Sequence, residues 1–298
     1  MNDTLRCSVV IPTYNRMTEL RYTLEALARQ TVPAEEFEVL VVDDGSSDDT
    51  ARVVEGFQDR LNVRYFFQED EGWRTAKARN VGIANARSDR CVLIDSGVLP
   101  HSGCLAAHIE SLDAPGGPVA VCGYVYCFEI DDAEAKQMKR EIDVEDPDGT
   151  MARLAVEGKW PDIREMFYEK YTDDFGDVPA PWIIYWTCNV SARTADLRAV
   201  GMFDEAFQRW GGEDVDLAYR LHRAGVSFVL NRKASAIHYP HYKNFDENEA
   251  GAAVNYQYFA DKHQTPITDL LRQSPEIHPF NINDIIRERG LDTVALRG

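Results

Sequence analysis

The sequence lacks the long apolar runs and the surplus of cations that mark membrane-spanning and nucleic-acid-binding proteins. Its 298 residues contain no run of ~18 uninterrupted apolar residues, so we expect no membrane span. Lys and Arg total 32 against 50 Asp and Glu, which gives a formal net charge of −18 at pH 7. Clustered cations hold phosphate backbones and anionic lipid surfaces, so this balance argues against nucleic acid and against a membrane surface as partners.

Paired cysteine motifs and an apolar leader are also missing. None of the six cysteines stands in a Cys-x-x-Cys pair, which argues against a zinc knuckle or a redox motif. Their scattered positions within apolar runs favour free, buried thiols in a reducing compartment. The chain enters a strand-like run at Cys7 without a signal-peptide pattern, so we expect a cytoplasmic protein.

The first 112 residues do contain a regular alternation of strand and helix patterns. Short apolar runs at 7–11, 37–42, 63–67 and 90–94 alternate with helical spacing at 18–30, 51–57 and 74–86. This order predicts an α/β fold whose mostly parallel sheet is covered by helices on both faces. Ligands of such sheets bind beyond the carboxyl ends of the strands, where Tyr14, Asp44 and Asp95 fall.

The pattern changes after Leu112, at a segment rich in Pro and Gly. The remaining predicted elements are a strand at 119–128, an acidic insertion at 131–180 with helices near 133–142 and 162–171, an aromatic strand at 181–186, a strand at 226–230 and a helix at 247–263. The insertion is too short for a core of its own, so we expect it to cover the sheet within one continuous domain. No structure is predicted for the C-terminal tail, 264–298, because its periodicity is weak.

An acidic stretch after two glycines is the strongest candidate for chemistry. Gly211 and Gly212 follow Trp210 and form a flexible hinge. Three acids come next: Glu213, Asp214 and Asp216. Acids that open an apolar-periodic run are typical of a helix start, so capping alone explains most such clusters. Asp216 alone could serve the helix, which leaves Glu213 and Asp214 beneath a mobile Trp, where a general base would meet an incoming hydroxyl.

Two other polar clusters have both an ordinary and a functional interpretation. The run 43–47 at a strand end is either a helix-capping turn or a site where Asp44 accepts a hydrogen bond from a uracil-type ring. The helix start at 72–80 carries three cations: Arg74, Lys77 and Arg79. They form either a solvated helix face or, together with helix amides, a site for a pyrophosphate.

The last candidate is a pair of possible metal ligands. Asp95 ends an apolar strand, where it would also serve as a turn signal, and His238 could equally be a packed histidine. A carboxylate and an imidazole at two strand ends could instead share an ion of the Mn²⁺ or Mg²⁺ type.

These pieces stand in a recognisable order. The motifs are 10–16, 41–46, 77–82 and Asp95, followed by 189–191, 201–205 and 210–214. Over residues 7–112 and 182–263 they resemble the inverting glycosyltransferases of family 2, which have a GT-A-type nucleotide-binding sheet. The second half is similar to the galactosyl- and N-acetylgalactosaminyl-transferring branch and to bacterial capsule-type polymerising enzymes.

The resemblance implies transfer of a hexosyl or N-acetylhexosaminyl group, with inversion, from a nucleoside-diphosphate sugar of the UDP type. The acceptor would be a carbohydrate, a natural product or another hydroxyl compound. Residues 1–112 would bind the nucleotide sugar, and 113–263 would hold the acceptor and the catalytic groups. By position in the motifs, Asp214 is the general base and Glu213 its acceptor-binding neighbour.

The same motifs imply the residues that contact each substrate. The donor-binding residues are Pro12, Tyr14, Arg16, Asp44, Lys77, Arg79, Asn80 and Asp95. The acceptor-binding residues are Trp210, Gly211, Gly212 and Trp186, beside the insertion.

One departure from the family pattern concerns the metal. The family has Asp-x-Asp after the fourth strand, whereas this chain has Asp95-Ser96-Gly97. Asp95 and His238 are the implied ligands of Mn²⁺ or Mg²⁺, and Gly97 removes one further ligand. Either these two residues and the donor diphosphate hold the ion, or the three cations of the helix start at 72–80 take the place of the ion.

Two other functions stay open on the sequence. A sugar nucleotidyltransferase would share the α/β plan, but the Gly-rich first loop of that class is not found. A non-catalytic nucleotide-sugar-binding module would fit a decayed metal site at Gly97. The presence of both Glu213 and Asp214 favours an enzyme.

Overall fold

The computed structural model describes residues 5–128, 132–241 and 244–291, so expectations for 1–4, for 131 and for 292–298 lie outside the described residues. The strands are Cys7–Thr13 (β1), Phe37–Asp43 (β2), Val63–Phe67 (β3), Arg90–Ile94 (β4), Val98–Pro100 (β5), Val119–Tyr126 (β6), Asn189–Arg193 (β7) and Ser227–His238 (β8). The α-helices are Met17–Leu27 (α1), Thr50–Glu55 (α2), Thr75–Asn85 (α3), Cys104–Asp113 (α4), Asp132–Glu141 (α5), Pro147–Glu157 (α6), Glu165–Tyr171 (α7), Thr194–Ala199 (α8), Glu213–Arg223 (α9), Phe245–His263 (α10) and Ile282–Glu288 (α11).

The strands form one sheet in the order β3-β2-β1-β4-β7-β6-β8-β5. β1 pairs in parallel with β2 and β4, and β2 pairs in parallel with β3. β7 lies antiparallel between β4 and β6, β5 is antiparallel to β8, and β6 is parallel to β8. The predicted α/β sheet is confirmed, with a parallel first half and a mixed second half.

Helices cover the first half of the sheet on both faces, as the apolar strands require. Successive residues of β1 enter different cores: Val9 packs in the cluster of Leu20 and Leu24 from α1. Val10 packs in the cluster of Ile83 from α3. Helix α3 approaches β1 so closely that a Cβ at Gly82 would lie 2.3 Å from Val10 Cγ1. This close contact fixes the start of α3 above the carboxyl ends of β1 and β2.

A buried ion pair ties the insertion to the sheet. Arg164 is fully buried and is held by Asp162, with Nε–Oδ1 at 2.9 Å and Nη2–Oδ2 at 2.7 Å. The guanidinium also donates to the Gly123 carbonyl of β6 at 2.8 Å and to the Ile184 carbonyl at 3.1 Å. The Asp162 carboxylate accepts from the Val125 amide at 2.8 Å. A buried charge is tolerated where its hydrogen bonds are satisfied in this way, so the insertion packs as part of the domain.

One predicted strand was wrong, and another was confirmed but is longer than expected. The aromatic run expected as a strand at 181–186 begins with a 3₁₀-helix, Pro181–Ile184, whose Trp182 is buried with Tyr185 in the core. A short, fully apolar run does not distinguish a strand from a buried helical turn, so the aromatic content misled the assignment. The strand expected at 226–230 is present and continues to His238 as β8. The polar residues 231–233, which are partly or fully exposed, ended the apolar run on which the prediction was based.

The tail is also ordered over the described residues, contrary to expectation. A 3₁₀-helix, Thr268–Gln273, and α11 bury apolar side chains in the main core: Leu270, Leu271, Ile282 and Ile286. The Asn283 side chain accepts from the Ala180 amide at 2.7 Å. These apolar residues are too irregularly spaced for a periodic signal, and the hydrogen bond that anchors α11 joins Asn283 to Ala180, 103 residues earlier in the chain.

The cysteine prediction is confirmed, since all six cysteines are free and buried. Burial raises the pKa of each thiol that it perturbs, for example that of Cys188 to about 12, so these side chains stay neutral. In the described ranges, no helix combines the length and the apolar content needed to cross a membrane.

Candidate active site

The glycine hinge sets the start of helix α9. Gly211 and Gly212 have φ angles of +86° and +92°, a region that side chains rarely adopt. Gly212 is the last residue before the helix, so Glu213 and Asp214 fall in its first turn. The hinge and the acids are therefore one local structure, as the sequence indicated.

A buried arginine joins these acids to the sheet. The Arg79 side chain, on α3, is only 4% exposed and donates to Glu213 Oε1 and to Asp95 Oδ1, both at 2.9 Å. Its guanidinium carbon lies 5.3 Å from the centre of the Phe203 ring. Three predicted site residues, distant in sequence, are thus brought together at the carboxyl end of β4.

Asp214 has the electrostatics of a proton acceptor. Burial, followed by the neighbouring charge of Glu213, raises the pKa of Asp214 to about 7, and the Arg79 charge opposes this shift. Its Oδ1 accepts from the Val215 amide at 2.8 Å. A carboxylate whose pKa lies near neutral pH takes up a proton far more readily than an ordinary aspartate.

Glu213 presents a second carboxylate oxygen to the same place. Its Oε2 is buried and makes no hydrogen bond within the described residues, while Oε1 is held by Arg79. A buried, unbonded carboxylate oxygen is costly, so a hydroxyl group that enters the site would find a ready acceptor there.

The predicted donor end of the site lies around Asp44, directly after β2. Asp44 is 6% exposed, and its Oδ2 accepts from the Arg74 amide at 2.9 Å. Its Oδ1 accepts from the Gln68 side chain at 2.5 Å. Tyr14, at the end of β1, is exposed and donates to Asp70 Oδ2 at 2.9 Å. The segment 68–74 therefore lies across the ends of β1 and β2, and a Cβ at Gly45 would lie 2.5 Å from the Asp70 amide nitrogen.

The other predicted donor-binding residues differ in their burial and in the contacts of their side chains. Pro12 is buried in β1 opposite Val42, and Arg16 directly precedes α1. Lys77 is partly buried on α3, and within the described ranges no hydrogen bond or ion pair to its ammonium is found. Among the predicted cations, Lys77 has the charge most available for an anion.

Asn80 is engaged within the protein. Its amide donates to the Phe203 carbonyl and to Glu205 Oε1, both at 2.9 Å, and its oxygen accepts from the Phe203 amide at 2.8 Å. These bonds clamp α3 to the loop that leads to α9. Its role in donor binding stays a prediction.

The two predicted acceptor-binding tryptophans have different surroundings. Trp210 is 45% exposed beside the hinge. Trp186 is partly buried, donates to the Ile183 carbonyl at 3.1 Å and lies 5.5 Å from the Arg164 guanidinium carbon. Trp210 is thus available to a ligand, whereas Trp186 packs on the ion pair that anchors the insertion.

The predicted metal ligands do not make a complete site. Asp95 is held by Arg79, and His238 lies at the end of β8, opposite Val98, with its ring 4.9 Å from that of Phe128. Among the described residues, no three His, Cys, Asp or Glu side chains are grouped so as to hold a metal. Mg²⁺ is usually held by one or two protein carboxylates together with substrate phosphates, so Asp95 and His238 would need the donor diphosphate to complete the coordination of an ion.

Several residues of the site were not found in the sequence. Gln68 and Asp70 follow β3 and approach Asp44 and Tyr14, and Asn255 and Tyr256 approach the hinge from α10. The polar run 68–72 after a strand was an available signal for the first two. No local signal marks the other two, because their contacts join positions about 45 residues apart.

The comparisons with known proteins identify the family of the chain. The family model described as glycosyl transferase family 2 matches residues 8–176, more than half of the chain. The chain belongs to glycosyl transferase family 2. A second family model, described as the N-terminal domain of galactosyltransferase, matches residues 174–245 of this family 2 chain. The resemblance to family 2 is thereby confirmed.

Two curated relatives illustrate the similarity. Validoxylamine A glucosyltransferase of Streptomyces hygroscopicus subsp. jinggangensis (strain 5008) is 39% identical over 88% of this chain and 62% of its own length. Chondroitin synthase of Escherichia coli is 31% identical over 86% of this chain and 38% of its own length. The family 2 chain thus spans less than two thirds of either relative.

Solved structures share the GT-A-type fold. A mannosyltransferase from Pyrobaculum calidifontis, in complex with GDP-Man and Mn²⁺, has a TM-score of 0.61 at 18% identity and covers 99% of this chain and 75% of its own. TarS 1–349 of S. aureus, in complex with UDP, has a TM-score of 0.58 at 18% identity and covers 89% of this chain and 69% of its own. The predicted fold class is confirmed.

Gly97, which stands where the family motif has Asp, has a backbone conformation that disfavours a side chain. Its φ is +98°, and a Cβ there would lie 3.3 Å from Glu19 Cβ. We expect Gly97→Asp to lose more than about 1–2 kcal/mol of stability, since left-handed strain adds to repulsion between two carboxylates. Urea denaturation would measure the loss.

Gly225→Asp is the matched control. Gly225 has φ +87°, but nothing lies within 4 Å of its Cβ position, so only the backbone strain applies there. Equal or smaller destabilisation by Gly97→Asp than by Gly225→Asp would contradict the account of Gly97.

Proposed function

We propose that the protein transfers a hexosyl or N-acetylhexosaminyl group from a UDP sugar to a hydroxyl acceptor with inversion, with Asp214 as the general base. The observation that carries the proposal is the raised pKa of Asp214, about 7, in a carboxylate at a glycine hinge. Its place beside the Arg79-linked pair of Glu213 and Asp95, in a family 2 chain, supports a transferase site.

The chemistry is a single displacement. Asp214 takes the proton of the acceptor hydroxyl as its oxygen attacks the anomeric carbon, and the bond from that carbon to the diphosphate oxygen breaks. Glu213 Oε2 accepts a hydrogen bond from the acceptor and orients it. Negative charge develops on the leaving diphosphate, and the available ammonium of Lys77 neutralises it. Arg79 is already paired with two carboxylates, so its part is to hold Glu213 and Asp95 in place.

The donor nucleoside lies across the ends of β1 and β2. The uracil ring N–H donates to Asp44, which is an acceptor only, in place of the Gln68 amide. Tyr14, Pro12 and Arg16 border the same strand end. Residues 1–112 act as the nucleotide-sugar-binding half, and 113–263 supply the acceptor side.

The acceptor is a polyhydroxylated compound, either a carbohydrate or a sugar-like natural product. The names of the relatives, a validoxylamine A glucosyltransferase and a chondroitin synthase, support this class. The exposed ring of Trp210 at the hinge offers an apolar face on which a sugar ring packs. Six free thiols and a nucleotide-sugar donor suit a cytoplasmic protein.

A nucleotide-sugar-binding module without catalysis is the alternative that the sequence leaves open at Gly97. Turnover decides between the two functions. The first assay offers UDP-glucose and UDP-N-acetylglucosamine as donors, and validoxylamine A and chondroitin oligosaccharides as acceptors. Release of UDP that depends on the acceptor supports the transferase, and UDP binding without transfer supports the module.

Removal of the base should abolish the pH dependence of transfer. A carboxyl group is protonated below its pKa, so we expect wild-type kcat/KM to fall as pH drops below about 7. Asp214→Asn cannot accept the proton, and its rate should be lower by about 10²–10⁴-fold and lack this limb, with UDP affinity unchanged. Initial rates across pH, with calorimetry of UDP, make the measurement.

Glu213→Gln is the comparison variant for the base. It should raise the acceptor KM and keep an acidic limb, because Asp214 is retained. The limb should move to lower pH, since the Glu213 charge no longer raises the pKa of Asp214. A wild-type rate in Asp214→Asn would place the base elsewhere.

A comparison of uridine binding with UDP binding distinguishes the predicted contact to the base from the predicted contact to the diphosphate. Asp44→Ala should weaken binding of both compounds by about 1–3 kcal/mol, because the ring N–H loses its acceptor. Lys77→Met should weaken UDP binding roughly tenfold and leave uridine binding unchanged, because uridine carries no phosphate. Lys233→Met, on exposed β8, is the control cation. Equal losses for uridine and UDP in Lys77→Met would exclude the diphosphate contact.

A divalent ion should contribute less here than in relatives with a complete Asp-x-Asp. Among the described residues, Asp95 and His238 are the candidate ligands, and Asp95 is already paired with Arg79. We expect Mn²⁺ to strengthen UDP binding by less than about tenfold in calorimetry, compared with chelator. Loss of all UDP binding in chelator would contradict this expectation.

A further inference from the structure

Helix α10 packs directly on the glycine hinge. Its residues Gly251, Ala252, Asn255 and Tyr256 are spaced so that they share one helix face. A Cβ at Gly211 would lie 3.2 Å from Ala252 Cβ, and one at Gly251 would lie 3.4 Å from the Trp210 carbonyl oxygen. The backbones of the helix and of the hinge therefore touch without intervening side chains.

Asn255 locks this contact. It is 4% exposed, and its amide nitrogen donates to the Gly211 carbonyl at 2.6 Å and to the Arg209 carbonyl at 3.0 Å. The hinge carbonyls have no neighbouring strand to pair with, so this side chain supplies their hydrogen bonds. The position of the next residue, Tyr256, is fixed with it.

Tyr256 places a phenol ring at the start of α9. Its Cε1, which is bonded to the hydroxyl-bearing carbon, lies 3.7 Å from the Cβ position of Gly212, the residue before Glu213. No hydrogen bond of the Tyr256 hydroxyl occurs among the residues that the structure describes. By contrast, the Tyr258 hydroxyl on the same helix donates to Asp204 Oδ2 at 2.8 Å.

The surroundings of this hydroxyl keep it protonated. Burial, and then the negative charges of Asp214 and Glu213, raise the pKa of Tyr256. The group is thus a hydrogen-bond donor at neutral pH, on a ring that touches the residue before Glu213 and Asp214, two side chains that accept hydrogen bonds. Tyr256 is partly buried, and its hydroxyl oxygen is not one of the fully buried, unbonded side-chain atoms of the described residues, so it is open to solvent and to a ligand.

We propose that Tyr256 belongs to the acceptor subsite and donates its hydroxyl hydrogen to an oxygen of the polyhydroxylated acceptor. This proposal rests on the proposed function and extends it to the acceptor. A sugar-type hydroxyl both accepts and donates, so it bridges the Tyr256 donor and the Glu213 acceptor, while the reacting hydroxyl faces Asp214. Tyr256 thereby selects acceptors that carry a second hydroxyl beside the reacting one.

Tyr256→Phe removes only the hydroxyl and keeps the ring on Gly212. With UDP-glucose and validoxylamine A, we expect the acceptor KM to rise about tenfold, the value for one lost hydrogen bond, with the acidic limb of kcat/KM near pH 7 retained. UDP affinity by calorimetry and the thermal midpoint should stay at wild-type values, because no intramolecular hydrogen bond is lost.

Tyr258→Phe is the matched control. It removes a hydroxyl from the same helix and breaks the bond to Asp204, so it should lower the thermal midpoint and leave the acceptor KM unchanged. An unchanged acceptor KM in an active Tyr256→Phe variant would overturn the assignment of Tyr256 alone. No acceptor-dependent turnover by the wild type would overturn the proposed function and this inference together.

Discussion

The structure of the site depends on one buried cation. Arg79 lies on α3, and its two hydrogen bonds reach Asp95 at the end of β4 and Glu213 at the start of α9. A guanidinium that is 4% exposed is stable only if carboxylates pair with it, so these three elements are held together. The two halves of the chain meet at this point, and the hinge that precedes Glu213 is set by it.

Arg79 does not neutralise all of the negative charge of the site. Three acids, Asp95, Glu213 and Asp214, surround a single arginine, and two of them use its hydrogen bonds. Asp214 is left in a partly buried, negative environment, which raises its pKa to about 7. The basicity of the candidate base is therefore a consequence of the pairing of its neighbours, and Lys77 remains available for a different anion.

Much of the fold could be predicted from local pattern. The four strands and three helices of the first 94 residues were placed to within a few residues, because β-branched runs and helical spacing are strong local signals. The Pro181–Ile184 turn, the long β8 and the ordered α11 were missed. Each depends on burial against a distant partner, as Ala180 and Asn283 illustrate, and no window of the sequence contains both sides of such a contact.

The sequence by itself determined the family, the sheet that begins the chain and the acids at the hinge, since these reside in short motifs. Only the tertiary structure decided how the motif residues share their partners. In the folded chain Arg79 pairs with carboxylates, and Asn80 forms hydrogen bonds with Phe203 and Glu205. The Lys77 ammonium is left for an anion. Asn255 and Tyr256 contact the hinge. Hydrogen-bond partners and charge balance are set by distances between segments far apart in the chain, and those distances exist only once the chain is folded.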